Sequence, residues 1–141
     1  LSGIIRLGVV ATTSMQRQER QVIEPDALDV TGDVFLLLGY DYDQALARTG
    51  AGSLEVKATP AGIAWRTAGR LARTAAMEET RTRARAGLLA GVVPGFVETD
   101  TVMRDGIKVV RAGVLCEINL VGRPTGDGST FSLSDIVREF F

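Results

Sequence analysis

The segment LLAGVVPGFVETDTVMRDGIKVVRAGVLCEINLV, Leu88–Val121, decides the fold. Leu88–Glu98, Ile107–Arg111 and Val114–Val121 are runs rich in β-branched and aliphatic residues, each of strand length. Between the first two stands Arg104-Asp105-Gly106, whose Asp-Gly pair is the residue combination that a tight hairpin turn requires. The reading is three strands, two of them joined by that turn.

Working outward, the N-terminal half repeats the pattern. Ile4–Ala11 reads as a strand, Thr12–Arg20 as an exposed polar loop, and Gln21–Glu24 as a short strand stopped by the Pro25-Asp26 turn. Asp33–Tyr40 is an apolar run so continuous that it predicts a strand buried on both faces. Ser53–Ala58 alternates Leu54 and Val56 with Ser53, Glu55 and Lys57, and Gly62–Arg66 returns after the Thr59-Pro60-Ala61-Gly62 turn, which predicts a hairpin.

Ala68–Ala86 differs: it is rich in Ala, Arg, Glu and Leu and has no Val or Ile. It predicts one long helix over about residues 70–86, ended by Gly87, with Glu79 and Arg83 paired at i,i+4. Gly122–Thr130 reads as a loop and Ser132–Phe141 as a short C-terminal amphipathic helix capped by Ser132. The expected class is α+β, a single domain over 1–141 with a mostly antiparallel β-barrel or sheet.

Composition restricts the chemistry. The 141 residues include no histidine and one cysteine, Cys116. Ser-His, Cys-His and His-metal mechanisms are therefore excluded, together with internal disulfides and Cys-rich zinc sites. A formal net charge of -1 gives no field to gather nucleic acid or an anionic membrane, so neither is an expected partner. Of the 16 basic residues only Lys57 and Lys108 are lysines, and arginine suits planar contacts with carboxylates. No apolar stretch approaches the ~20 residues that span a bilayer, and the N-terminus does not have the residue order of a secretory leader. No cofactor and no metal are expected.

Four segments taken together are similar to the prohead proteases of tailed bacteriophages, the capsid-maturation enzymes with a herpesvirus-assemblin-like fold. VIEPDAL, Val22–Leu28, resembles that family's turn after the opening strand. LLLGYDYDQALART, Leu36–Thr49, resembles its apolar, Asn-His-Asp, loop, Leu-Gly-Arg element, with Leu46 and Arg48 in register. GVVPGF, Gly91–Phe96, resembles its Gly-x-Ser-x-Gly-Phe nucleophile strand, and LCEINLVGRP, Leu115–Pro124, its closing Leu-x-Glu-Val-Ser-Leu-Val-x-x-Pro. The resemblance spans roughly residues 4 to 125.

The departures fall on the chemistry. Tyr40 stands where the family has its catalytic histidine, Val93 where it has the nucleophilic serine, and only Glu117 keeps an acidic side chain that could orient a base. The resemblance thus implies degenerate triad positions at Tyr40, Val93 and Glu117, no catalytic residue and no enzymatic activity, since a serine needs both its hydroxyl and a base to attack. It implies a pseudoprotease: a non-catalytic virion structural protein that binds the major capsid protein as a minor, cement or decoration component. The expected state is a homo-oligomer or a symmetric multicopy array, in the virion and, during assembly, in the host cytoplasm. The alternatives are a transient assembly factor, acting as scaffold or as inert partner of an active protease, and a protease with an unconventional nucleophile.

Other candidates have plainer readings. Cys116, inside Val114–Leu120, is expected to be a small buried hydrophobe. Lys57 and Lys108 are expected to face water, and Asp41, Asp43 and Glu117, the remaining acids that could pair in a site, to be structural or on the surface. Gly91 and Gly95 around Pro94 are expected to permit a bend. Tyr40 and Tyr42 are expected to fill the emptied site.

Overall fold

The computed structural model describes residues 1–12, 19–71 and 73–134. In chain order its strands are β1 (Ser2–Arg6), β2 (Ala11–Thr12), β3 (Arg20–Ile23), β4 (Leu28–Asp29), β5 (Phe35–Leu38), β6 (Asp41–Arg48), β7 (Leu54–Thr59), β8 (Gly62–Thr67), β9 (Gly91–Arg104), β10 (Ile107–Val121) and β11 (Thr130–Ser132). One helix, α1 (Ala75–Arg85), lies between β8 and β9, and a single 3-10 turn covers Thr49–Ala51.

The strand β10 organises the larger sheet because its 15 residues present two long edges. One edge pairs antiparallel with β9 through a two-residue turn in which Asp105 and Gly106 both have positive φ, 52° and 74°. That is the conformation an Asp-Gly hairpin adopts. The other edge takes β3, β4 and β5 in succession, all parallel. With β2 on β3 and β6 on β5, this makes a mixed sheet of seven strands. The smaller sheet is antiparallel, in the order β11-β1-β8-β7.

The core lies between the two. Ile5, Ile63 and Trp65 of the smaller sheet join Leu36, Ile118 and Leu120 of the larger in one buried cluster, and Met77 of α1 belongs to it. Leu36 and Leu37 are both 0% exposed, as the continuous apolar run predicts, because β5 is flanked on both edges and covered on both faces. Truncating such a leucine to alanine costs about 2–5 kcal/mol.

Four expectations change. Among the described residues the fold is mostly β with two sheets and one short helix, and no closed barrel forms. The run Ile107–Arg111 continues through Ala112 and Gly113 into Val114–Val121 as one strand, irregular against β9 at Arg111 and flanked on either side of that point by the parallel neighbours β3 and β4, which periodicity along one segment does not reveal. The helix begins at Ala75 rather than near residue 70, because the Thr74 hydroxyl accepts the Met77 N–H at 3.1 Å and caps it. Its end agrees: Gly87 takes φ 75°, its N–H donates to Ala84 and that of Leu88 to Arg83, closing the last turn. Ser132, read as a helix cap, is instead the last residue of β11 opposite Ser2, Leu133 and Ser134 form a bend, and the remainder of the expected C-terminal helix, 135–141, lies outside the described residues.

Candidate functional site

A cleft of about 830 Å³ opens between the sheets. Its walls are Ile5 and Arg6 at the end of β1, Ala11, Gln21 and Ile23 from β2 and β3, Val92–Phe96 of β9, and the loop Val121–Asp127 after β10. The lining is mostly apolar. Asp127, one of its charged groups, holds its own loop by accepting from the Thr125 hydroxyl at 2.7 Å and the Ser129 N–H at 2.8 Å.

Tyr40 reaches the cleft from the β5–β6 hairpin. That turn has two residues, Gly39 and Tyr40, both left-handed at φ 63° and 66°. The conformation costs a non-glycine residue about 1–2 kcal/mol. Burial of its inner side, and then the charge of Glu117, push the Tyr40 phenol above its ordinary pKa.

Tyr42 stacks edge-to-face on Phe35, with ring centroids 5.2 Å apart. Its hydroxyl is hydrogen-bonded to Glu117, which pushes its pKa up to about 12. Glu117 also accepts from Asn119 Nδ2 at 3.3 Å. The same nitrogen donates to the Val93 carbonyl at 3.3 Å, while Asn119 Oδ1 is buried without a partner among the described residues.

Tyr40, Val93 and Glu117 are therefore brought into one neighbourhood. Val93 lies opposite Asn119 and Gly95 opposite Glu117 across the β9–β10 ladder, and Tyr40 lines the same cleft as Val93. The glycines are sites of close approach, and the ladder irregularity at Cys116 lies beside Gly95. A Cβ on Gly95 would lie 2.6 Å from Glu117 Oε1, and one on Gly91 only 2.0 Å from the Arg123 carbonyl oxygen.

Two expectations are corrected here. The tyrosines do not fill the cleft: Tyr40 is 58% and Tyr42 52% exposed, since one occupies a turn and the other an outer strand. Cys116 is half-buried, not buried, because it is the extra residue of a bulge, with Leu115 opposite Phe96 and Glu117 opposite Gly95.

The other candidates are not drawn in. Asp41 and Asp43 are exposed, and the Asp41 carboxylate accepts the Asp43 N–H at 2.9 Å. Lys57 is exposed, as expected, whereas Lys108 is half-buried and ion-paired with Glu98 on the distal part of the β9–β10 hairpin. Among the described residues no group of three or more acidic or cysteine side chains could hold a metal, and no helix is long and apolar enough to cross a membrane. Sequence reasoning missed Asn119. Its signal was a lone amide inside the apolar run Ile118–Val121, a position that demands hydrogen-bond partners.

No protein-family model matches the chain, and no curated protein and no solved structure matches it.

Proposed function

We propose that this chain is a non-catalytic virion structural protein, a pseudoprotease of the prohead-protease type that grips the major capsid protein as a minor, cement or decoration component. One observation supports the reading above others. Two of the positions that the resemblance assigns to a triad, Tyr40 and Val93, line one open cleft, and the third, Glu117, lies opposite Gly95 on the next strand; they carry a phenol, an isopropyl group and a carboxylate already engaged by Tyr42 and Asn119. Val93 has no attacking atom. A phenol raised above its usual pKa is a poor base at neutral pH.

An apolar cleft that stays open without reactive groups is suited to adhesion. Its first wall is the edge strand β9, whose ladder is made with β10 alone among the described residues. Extended segments of a partner can add to such an edge while their side chains enter apolar space. On this reading the chain is retained for binding in multiple copies on a symmetric shell.

The test is to purify procapsids and mature particles and quantify this chain. Stoichiometric copies in mature heads, lost on Val93→Arg, support the proposal. Presence in procapsids and loss on maturation would replace it with a transient assembly factor. Cleavage of capsid precursor that disappears on Cys116→Ala or Glu117→Gln would replace it with an unconventional protease.

A further inference from the structure

The second half of β9 is an edge of another kind. From Val97 to Arg104 its side chains are exposed except for the half-buried Val102, and Met103 is 68% exposed. A bulge at Thr99 divides this stretch, since Asp100 lies opposite Ala112 and Glu98 opposite Gly113. Beyond the bulge, Thr101-Val102-Met103-Arg104 pairs regularly with Val110–Ile107 up to the Asp105-Gly106 turn, and the step from Thr101 to Asp100 faces Arg111, an extra residue on β10. It contains neither proline nor lysine, the residues that commonly keep an edge from pairing.

We propose that this run is a self-association edge, pairing antiparallel with the same run of a second copy about a two-fold axis through Val102. Backbone geometry allows that centre. Arg104 and Ile107 close a two-residue turn and so form a hydrogen-bonded pair, and alternation then turns the N–H and C=O of Thr101 and Met103 away from β10. Pairing about Val102 sets Thr101 opposite Met103 of the other copy, which joins outward-facing groups to outward-facing groups on both sides of the axis.

Charge selects the same register. Asp100 comes opposite Arg104 of the second copy, twice. Arg104 has no ion pair among the described residues, and Asp100 meets only Arg111, at 3.1 Å. Sliding the pairing toward the bulge forces Thr99 into the ladder, and sliding it toward the turn leaves Arg104 opposite Val102. Both alternatives give up the Asp100–Arg104 pairs, and the first sets Arg104 opposite Glu98, which Lys108 already holds, so attraction and exclusion act together. The inference uses nothing from the cleft and holds or fails independently of the capsid reading.

A contact this short belongs to the small, weak class of interfaces, so the measurement is sedimentation equilibrium of the full chain over about 10 µM to about 1 mM. The expected result is a concentration-dependent rise toward twice the monomer mass. Asp100→Arg alone and Arg104→Glu alone stay monomeric, whereas an equimolar mixture of the two forms a heterodimer at least as readily as the parent chain. Thr101→Pro, which removes an outward donor and leaves the β10 ladder intact, keeps the β-sheet circular dichroism and loses self-association. A parent chain monomeric throughout that range overturns the proposal, and so does a charge-reversed mixture that fails to associate. A folded Thr101→Pro chain that still dimerises also overturns it, because the contact then lies elsewhere.

Discussion

Asn119 reaches across the β9–β10 ladder to Val93: its buried Nδ2 donates to the Val93 carbonyl and to Glu117 Oε1, each at 3.3 Å. One amide thereby ties a residue lining the cleft to Glu117. Asn119→Ala leaves those acceptors without their donor and is expected to cost about 1–3 kcal/mol in urea unfolding. Asn119→Asp is expected to cost more at pH 7, because it buries a second carboxylate beside Glu117. Burial and repulsion raise the new group's folded pKa above its unfolded value. The fold then favours the protonated form, and the deficit relative to the parent shrinks as pH falls below about 5.

The Tyr42–Glu117 hydrogen bond has its own signature at the opposite end of the pH scale. A phenol raised to about 12 in the fold keeps its proton after the unfolded chain's tyrosine has released its own near 10. The associated stability is fully present below pH 10 and is lost as pH rises toward 12. Alkaline absorbance titration of the folded chain should show this late phenol, and Tyr42→Phe should remove it. Glu117→Gln should bring it back toward the ordinary range.

Tyr40 occupies a left-handed turn position with more than half its side chain in water. Few contacts oppose its replacement, so Tyr40→Gly is expected to raise stability by about 1 kcal/mol, the relief of left-handed strain. Thermal or urea unfolding checks this. A strained aromatic at a cleft rim suits a residue kept for what it touches rather than for the fold. On the capsid reading proposed above, particle incorporation should fall in the same variant that gains stability.

The two cleft glycines are expected to differ. At Gly91 the obstacle is backbone, the Arg123 carbonyl oxygen at 2.0 Å, whereas at Gly95 it is mainly the Glu117 side chain, with Oε1 at 2.6 Å and Cβ at 3.0 Å. A side chain shifts more readily than a ladder. Gly95→Ala should cost about 1–3 kcal/mol, and Gly91→Ala should exceed that or prevent folding. Equal losses at the two sites would contradict this account.

How far the sequence reveals this architecture depends on where the deciding contacts lie. The Asp105-Gly106 hairpin, the burial of Leu36 and Leu37, and the β7–β8 hairpin follow from local residue types and are found as expected. The parallel pairing of β3, β4 and β5 along β10 is non-local: nothing in Gln21–Ile23 announces that Lys108–Val110 will lie beside it. The same distinction holds for the site. Tyr40, Val93 and Glu117 can be singled out by resemblance, but the roles of Tyr42 and Asn119 arise from the ladder and the Cys116 bulge, which set side-chain direction. Whether a cleft is filled or open is decided by exposure at a turn, which composition does not encode.

Placing a base and a hydroxyl at the cleft is not expected to create hydrolytic activity. Tyr40→His with Val93→Ser sets both groups on the rim of one cavity, so space is not the obstacle. Preorganisation is. A histidine at residue 40 would stand on a hairpin turn, largely in water, and Glu117, the acid nearest to orient it, already accepts from Tyr42 and Asn119. Attack requires base and nucleophile held within about 3 Å of each other, and effective molarity collapses when either swings freely. The double variant is therefore expected to hydrolyse peptide and ester substrates no faster than either single variant and to resist labelling by a fluorophosphonate. Stoichiometric labelling of the double variant at residue 93 would show that the frame orients the pair and would contradict this expectation.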